Sequence, residues 1–145
     1  MKLLILIGGT SGSGKTGVSE FLVSNLIQEV KRFSADDFFS RNGTYHFQPE
    51  LLSEAHNQCQ ENVMNNMEIS FPVIIVDNTF TKKSELDPYF ELAWNYDYEV
   101  MSLVAVNHHG SKSIHGVPAT TICRQAADLT TTIRDYALKP YQNEE

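Results

Sequence analysis

Cysteine, tryptophan and basic residues are scarce in this chain. Among its 145 residues there are 2 cysteines and 1 tryptophan, and 11 Lys and Arg stand against 18 Asp and Glu. The cysteines, Cys59 and Cys123, lie far apart in the sequence and give no disulfide framework, which suits a reducing compartment. The net charge of −7 argues against extended duplex binding, since proteins that hold nucleic-acid phosphates carry a basic face. A few local cations would still suffice to bind one nucleic-acid end.

Long hydrophobic runs are also missing. The N-terminal apolar run, residues 3–7, is too short for the core of a secretory signal or for a membrane span. We therefore expect no membrane association and a cytoplasmic location, and we interpret the run as a buried parallel strand. The length, with 41% hydrophobic residues, predicts a single domain over residues 1–145.

A glycine-rich stretch follows that run and is the most informative part of the sequence. Residues 9–16 match the P-loop pattern GxxxxGK[ST], and a helical pattern follows them. Backbone N–H groups of such a loop converge on phosphate oxygens where the next helix begins. We therefore predict a site for ATP and Mg²⁺, in which Lys15 contacts the β- and γ-phosphates and the Thr16 hydroxyl holds the metal. The predicted nucleotide-binding residues are Gly9, Thr10, Ser11, Gly12, Ser13, Gly14, Lys15 and Thr16.

Acidic residues follow two of the predicted strands. Asp36 and Asp37 come after a short second strand that ends near Ser34, and Asp77 ends the apolar run 72–76. In open α/β sheets, functional groups collect beyond the carboxyl ends of strands. Asp36 could accept a proton from an attacking hydroxyl while its neighbour caps a helix, or both acids could form a capping pair in a loop. Asp77 could organise Mg²⁺-bound water, hold a partner side chain or form a turn. Water-mediated help for the metal at Thr16 is expected from Asp36 or Asp77.

Amphipathic spacing predicts helices between these strands. The first, from residue 16 to about 30, would pack an apolar face on the sheet, made of Val18, Phe21, Leu22, Leu26 and Ile27. Further helices are predicted over residues 49–67 and 82–95, with Trp94 in the core, and from Pro118 until Pro140 ends the last one. With strands also at 72–77 and 98–106, we predict an α/β P-loop sandwich of three layers, with a mainly parallel sheet of four to five strands.

Residues 107–117 lack an apolar period and contain two glycines, which predicts a mobile loop that could act as a lid. Its histidines are not accompanied by carboxylates or cysteines, so a metal site is not favoured there. The neutral or protonated rings of its three histidines, His108, His109 and His115, could instead meet substrate phosphate.

The order of these stretches resembles the polynucleotide 5′-kinase-like family of P-loop kinases, including the small ATP-binding domains of ubiquitin-ligase-binding proteins. The stretches that carry the resemblance are GGTSGSGKT, SADDFF, YHFQPELLSEAHNQC, VIIVDNTF and IHGVP. The resemblance implies that Asp36 is the general base toward a 5′-hydroxyl and that Asp77 orders the acceptor site. It also implies lid arginines, but this chain has His108 and Lys112 there, and Arg124 of the last helix could fold back to substitute for them. Phe39 stands where the phage members of the family have an arginine. Lysine lacks the two-pronged contact that arginine makes with phosphate.

Two classes of function remain open from the sequence. The first is an ATP-dependent kinase that phosphorylates a polynucleotide 5′-hydroxyl, or else a nucleoside or small molecule, with Lys15, Asp36, Asp77 and Lys112 as its catalytic residues. The second is an ATP-dependent binding or regulatory module with weak ATPase activity and a protein partner. Asp36 and Asp77 favour the first class, and the altered lid and the acidic charge favour the second. The acceptor and the oligomeric state are not determined by the sequence.

Overall fold

Strands and helices alternate along the chain. The computed structural model describes residues 1–108, 110 and 112–142. The strands are β1 (Leu3–Gly8), β2 (Val30–Phe33), β3 (Ser40–Arg41), β4 (Thr44–Tyr45), β5 (Val73–Asp77) and β6 (Glu99–Val104). The α-helices are α1 (Lys15–Asn25), α2 (Leu52–Glu68), α3 (Lys83–Tyr96) and α4 (Ala119–Gln142), with short 3₁₀ helices at Ala35–Phe39 and Pro49–Leu51.

The main sheet has four strands in the order β2-β5-β1-β6, and every pair in it is parallel. β1 lies between β5 and β6, so that Leu3 pairs with Val73 on one side and with Glu99 on the other. Parallel pairing brings the carboxyl ends of all four strands to one edge of the sheet. The predicted α/β fold with a mainly parallel sheet is therefore confirmed. β3 and β4 form a separate antiparallel hairpin.

The larger core lies between one face of the sheet and the helices α2 and α3. Leu4, Leu6, Ile74 and Val76 supply the sheet side of this cluster. The helix α2 contributes a stripe of buried residues at every fourth position, as its sequence period predicts: Ala55, Cys59, Val63 and Met67.

The opposite face of the sheet is covered less completely. Its buried cluster is Ile5, Ile7, Val73 and Ile75, against which Leu22 of α1 packs. The predicted first helix was too long, because α1 ends at Asn25, and β2 must start at Val30 to pair with β5. The predicted apolar face of that helix was also partly wrong, since the most exposed of its members are Phe21 at 65% and Ile27 at 104%.

Two predictions about later helices were wrong as well. Trp94 is 87% exposed. The buried residues of α3 are Leu86, Tyr89 and Ala93, and Trp94, the residue after Ala93, therefore lies on a different face of the helix. Pro140 does not end α4, which continues to Gln142. A proline removes one backbone hydrogen bond and can bend a helix without ending it.

None of the helices seen in residues 1–108, 110 and 112–142 combines the length and the apolar character needed to cross a bilayer.

A substitution in the central strand tests this description of the core. Leu6 is fully buried in the larger cluster, so Leu6→Ala should lower the free energy of unfolding by about 3 kcal/mol through lost burial and a residual cavity. Urea unfolding measures this loss. Ile27→Ala is the matched control, because Ile27 is fully exposed, and it should change stability by less than about 0.5 kcal/mol. Equal losses in the two variants would contradict the packing.

Candidate nucleotide and acceptor site

The glycine-rich turn joins β1 to α1 in a conformation that requires glycine. Gly9 has φ of 149°, and a Cβ added there would lie 2.5 Å from the carbonyl oxygen of Ala105 and 2.5 Å from Ser13 Oγ. Gly14 caps the N-terminus of α1 in the left-handed region, with φ of 93°. Both positions therefore need the absence of a side chain, either for space or for backbone conformation. The turn leads directly into the first turn of α1, where backbone N–H groups are free of helical partners.

Lys15 curls back onto its own loop. Its Nζ donates to the carbonyl oxygens of Gly9 at 3.0 Å and Thr10 at 2.9 Å. Burial lowers the pKa of Lys15, and attraction from Asp36 and Asp77 partly opposes this effect. The ammonium group is thus partly desolvated and is bound by neutral carbonyls, so a phosphate group would be a stronger partner than those it has.

The residues of the loop fit a bound nucleoside triphosphate with its metal ion. Ser13 Oγ is buried without a hydrogen-bond partner among the described residues, and Thr16 is exposed in the first turn of α1. The described part of the chain holds no cluster of three or more His, Cys, Asp or Glu residues suited to a metal ion. Mg²⁺ often binds through few protein ligands together with phosphate oxygens and water, and the Thr16 hydroxyl could supply such a ligand.

Asp77 lies at the end of β5 in a buried ion pair with Arg32 of β2. The two oxygens of Asp77 accept from Arg32 Nε at 2.6 Å and from Nη2 at 2.9 Å, and Ser19 of α1 donates to the same carboxylate. Asp77 is 3% exposed. Burial opposes the charge on Arg32, but hydrogen bonds and attraction from Asp77 outweigh it and raise the pKa of Arg32. Of the alternatives that the sequence left open, Asp77 therefore holds a partner side chain. The sequence gave no signal for Arg32 as that partner.

The adjacent acids Asp36 and Asp37 take different environments. Asp37 forms a capping box at the 3₁₀ helix, where it accepts from the backbone N–H of Ser34 at 3.2 Å, and it lies 3.5 Å from Arg32 Nη1. Burial raises the pKa of Asp37, and attraction from Arg32 partly offsets the shift. Asp36 is exposed and accepts at Oδ1 from the Tyr45 hydroxyl at 3.2 Å. Asp37 is exposed as well, with 55% of its side chain accessible, so the two acids differ in that Arg32 pairs with Asp37 and not with Asp36.

The predicted lid contacts Tyr45 through His115, one of the three histidines for which the sequence predicted a contact with phosphate and not with an aromatic ring. His115 stacks on Tyr45 with 3.8 Å between ring centroids and 25° between planes. His108 and Lys112 are exposed, and no described residue forms a hydrogen bond or an ion pair with Lys112. Positions 109 and 111 of the predicted lid lie outside the described residues.

The helix α4 reaches the P-loop through Gln125. The backbone N–H of Ser11 donates to Gln125 Oε1 at 2.9 Å, across 114 positions in the sequence. Arg124, the residue predicted to fold back, is exposed, and within the described residues it has no hydrogen bond or ion pair. No pattern in the sequence marks Gln125, which is uncharged and follows the predicted Arg124.

A glycine-rich turn with an inward lysine, between the central strand of a parallel sheet and its helix, defines a P-loop nucleotide-binding domain of the kinase type. The chain belongs to the AAA_33 family, described as an AAA domain, whose model matches residues 4–108. The predicted resemblance to the polynucleotide-kinase-like group of P-loop kinases is confirmed.

Two curated proteins illustrate the similarity. The chain is 34% identical over 99 residues to NEDD4-binding protein 2 from Homo sapiens, covering 68% of this chain and 6% of that protein. It is 27% identical over 100 residues to 2′,3′-cyclic-nucleotide 3′-phosphodiesterase from Mus musculus, covering 69% of this chain and 23% of that protein. The chain therefore spans less than a quarter of the length of either relative.

Solved structures share the fold at low identity. A chain of the Pnkp1/Rnl/Hen1 RNA repair complex matches with a TM-score of 0.71 and 18% identity, over 92% of this chain and 46% of that one. APS kinase from Mycobacterium tuberculosis matches with a TM-score of 0.57 and 10% identity, over 92% of this chain and 97% of that one. Phosphotransferases for different acceptors thus share this architecture, and the fold alone does not choose among them.

The ion pair between Arg32 and Asp77 should matter for stability. Arg32→Met leaves the buried carboxylate of Asp77 without its cation, and we expect a loss of about 3 kcal/mol in the free energy of unfolding. Urea unfolding at neutral pH measures it. Arg41→Met, which removes an exposed arginine in β3, should change stability by less than about 0.5 kcal/mol. A loss no larger than in this control would show that the pair contributes little.

The lowered pKa of Lys15 predicts a pH dependence of nucleotide binding. Phosphate binds the protonated lysine, so ATP affinity should fall as pH rises through the pKa of the free protein. Because burial lowers the pKa of Lys15, the fall in affinity should begin at a pH below 10.5, the pKa of an ordinary lysine. Calorimetry of ATP binding from neutral to alkaline pH measures the profile. Lys15→Arg keeps its charge over this range and should give a flat profile. A flat profile in the unsubstituted protein would count against the role of Lys15.

Proposed function

We propose that this protein is an ATP-dependent phosphotransferase that moves the γ-phosphoryl group of ATP to the 5′-hydroxyl of a polynucleotide. One observation carries the proposal: Asp36 is an exposed carboxylate near Lys15 that, unlike Asp37 and Asp77, forms no ion pair with Arg32. Its neighbour Asp37 is committed to a cap and to Arg32, and Asp77 is buried in its own ion pair. Asp36 remains near enough to Lys15 to affect its pKa. A carboxylate in that position can accept the proton of an attacking hydroxyl.

Each residue of the site has a distinct task in this proposal. Lys15 binds the transferring end of the triphosphate, and the backbone N–H groups of residues 11–16 surround the remaining phosphates. Mg²⁺, held by Thr16 and phosphate oxygens, would neutralise charge that develops during transfer. Asp36 orients and deprotonates the acceptor hydroxyl. Asp77 acts through Arg32 and Ser19, which it ties together, and is a positioning residue. His108 and Lys112 would approach the nucleotide when the lid closes over the site.

The choice of a polynucleotide acceptor is supported by the order of the sequence motifs. The order of the P-loop, the acidic pair and the later motifs is that of the polynucleotide-kinase-like group. The net charge of −7 favours a substrate held at its end, because long phosphate backbones need a basic face.

A second candidate is a nucleotide-dependent binding module with weak ATPase activity. The contact between Gln125 and the backbone N–H of Ser11 favours it, because this contact links the P-loop to a long helix whose position could then report nucleotide binding. NEDD4-binding protein 2 is named for a protein partner, which supports the same candidate. The exposed Lys112 and Arg124 are consistent with it as well.

Phosphoryl transfer with two variants tests the first candidate. Labelled phosphate should pass from γ-labelled ATP to single-stranded oligonucleotides with 5′-hydroxyls. Asp36→Asn should lower kcat by at least about 100-fold while ATP affinity stays unchanged, since a general base contributes roughly 10²- to 10⁴-fold. Lys15→Ala should weaken ATP binding itself.

Asp97→Asn is the matched control for the carboxylate. Asp97 is exposed at the left-handed C-cap of α3, where asparagine is tolerated, and its variant should transfer phosphate normally. Transfer that survives Asp36→Asn would refute the base assignment. ATP binding without transfer to nucleic acids, nucleosides or small alcohols would support the binding module instead.

A further inference from the structure

Tyr45 makes two contacts that point in different directions. Its hydroxyl donates to Asp36 Oδ1 at 3.2 Å, and one face of its ring is covered by His115 of the lid at 3.8 Å. The first contact joins Tyr45 to the proposed base. The second places the ring face at the boundary between the hairpin β3–β4 and the lid, next to the proposed acceptor site.

Tyr45 packs against the larger core cluster through only part of its surface. Phe39 anchors the hairpin, since it is 3% exposed and contacts the rings of Tyr45 and Phe47 edge to face, with centroids 6.2 Å and 5.1 Å away. Tyr45 itself is only partly buried, and Phe47 is 48% exposed. One face of the partly buried Tyr45 ring is therefore covered by His115, which is itself exposed.

His115 shows what kind of group fits on that face. Its imidazole is a flat, nitrogen-containing aromatic ring, nearly parallel to Tyr45 at van der Waals distance. A nucleobase has the same shape and chemistry, and proteins that bind single-stranded nucleic acids commonly stack bases on aromatic side chains. Sugars and simple alcohols present no comparable flat surface. At 3.8 Å there is no room for a base between the two rings, so a base on this face must replace His115.

The Asp36 carboxylate lies close to the ring of Tyr45. Because the Tyr45 hydroxyl contacts Asp36, the ring face and the carboxylate lie within one tyrosine side chain of each other. In a nucleotide, the base and the 5′-oxygen are attached to the same sugar and are separated by a similar span. A terminal base stacked on Tyr45 would thus bring its own 5′-hydroxyl toward Asp36.

We propose that Tyr45 is the stacking surface for the 5′-terminal base of the acceptor, and that His115 covers this surface until the acceptor displaces it. This inference rests on the proposed function, and it narrows the substrate class to acceptors that carry a nucleobase beside the hydroxyl. It also means that His115 competes with the acceptor base for the ring of Tyr45.

The experiment compares acceptors with and without the terminal base. Phosphorylation of an oligonucleotide with a normal 5′-terminal nucleotide is measured against one with an abasic 5′-terminal residue, and a free nucleoside serves as a third acceptor. The unsubstituted protein should show a KM that is about 10- to 100-fold lower for the normal end. In Tyr45→Leu this ratio should fall to about 1, because only the base-dependent contact is lost. An unchanged ratio in Tyr45→Leu would overturn the proposal.

Two further variants separate the two contacts of Tyr45. Tyr45→Phe keeps the ring face and loses the hydrogen bond to Asp36, so KM for the acceptor should hold while kcat falls about several-fold. His115→Ala uncovers the face and should lower KM for the normal end by about 2- to 10-fold, the value of one ring contact. A higher KM in His115→Ala would overturn the competition.

Direct binding distinguishes a failure of this inference from a failure of the proposed function. Fluorescence anisotropy of a 3′-labelled oligonucleotide reports acceptor binding without phosphoryl transfer. If binding depends on Tyr45 and on the terminal base but no phosphate is transferred, the proposed kinase activity is refuted and the proposed stacking surface is supported. Transfer without any base dependence would refute the stacking surface and keep the kinase. Trp94→Leu, which removes an exposed aromatic residue on α3, is the control and should match the unsubstituted protein.

Discussion

The carboxylate of Asp77 connects three elements that the P-loop depends on. It lies at the end of β5, binds Arg32 of β2 through both oxygens and accepts from Ser19 of α1. Gly8 ends β1 at the same edge of the sheet as Asp77 ends β5. The contacts of Asp77 therefore hold α1, the helix that follows the glycine-rich turn, against the sheet. A buried carboxylate is costly unless it is paired and hydrogen-bonded. Asp77 meets both conditions, which favours one arrangement of helix and strands over alternatives.

The same guanidinium influences the next acidic pair. Arg32 uses Nε and Nη2 on Asp77, and its Nη1 approaches Asp37, which also caps the 3₁₀ helix. Asp36 instead accepts from the Tyr45 hydroxyl. The two adjacent acids are both exposed but have different partners, because adjacent side chains cannot point the same way.

Contacts from the C-terminal part of the chain meet the site at two places. Gln125 of α4 accepts from the Ser11 N–H, and His115 of the predicted lid covers Tyr45. One contact touches the glycine-rich turn and the other touches the partner of Asp36, so both halves of the candidate site are contacted by groups that follow β6 in sequence. A ligand that binds more tightly when these contacts are open would favour the open state. The difference between its affinities for the open and closed states sets how far the equilibrium shifts.

The sequence by itself determined the P-loop, the parallel strands and the buried stripe of α2, because each depends on contiguous residues or on a short period. It also identified Asp36 and Asp77 as residues that follow strands, although not what they contact. Only the tertiary structure decided that Arg32 faces Asp77, that Tyr45 holds Asp36 and that Gln125 reaches Ser11, since each contact joins separate elements. The exposure of Phe21, Ile27 and Trp94 was decided there too. Periodicity shows which residues share a face, and only the packed fold determines whether another element covers that face.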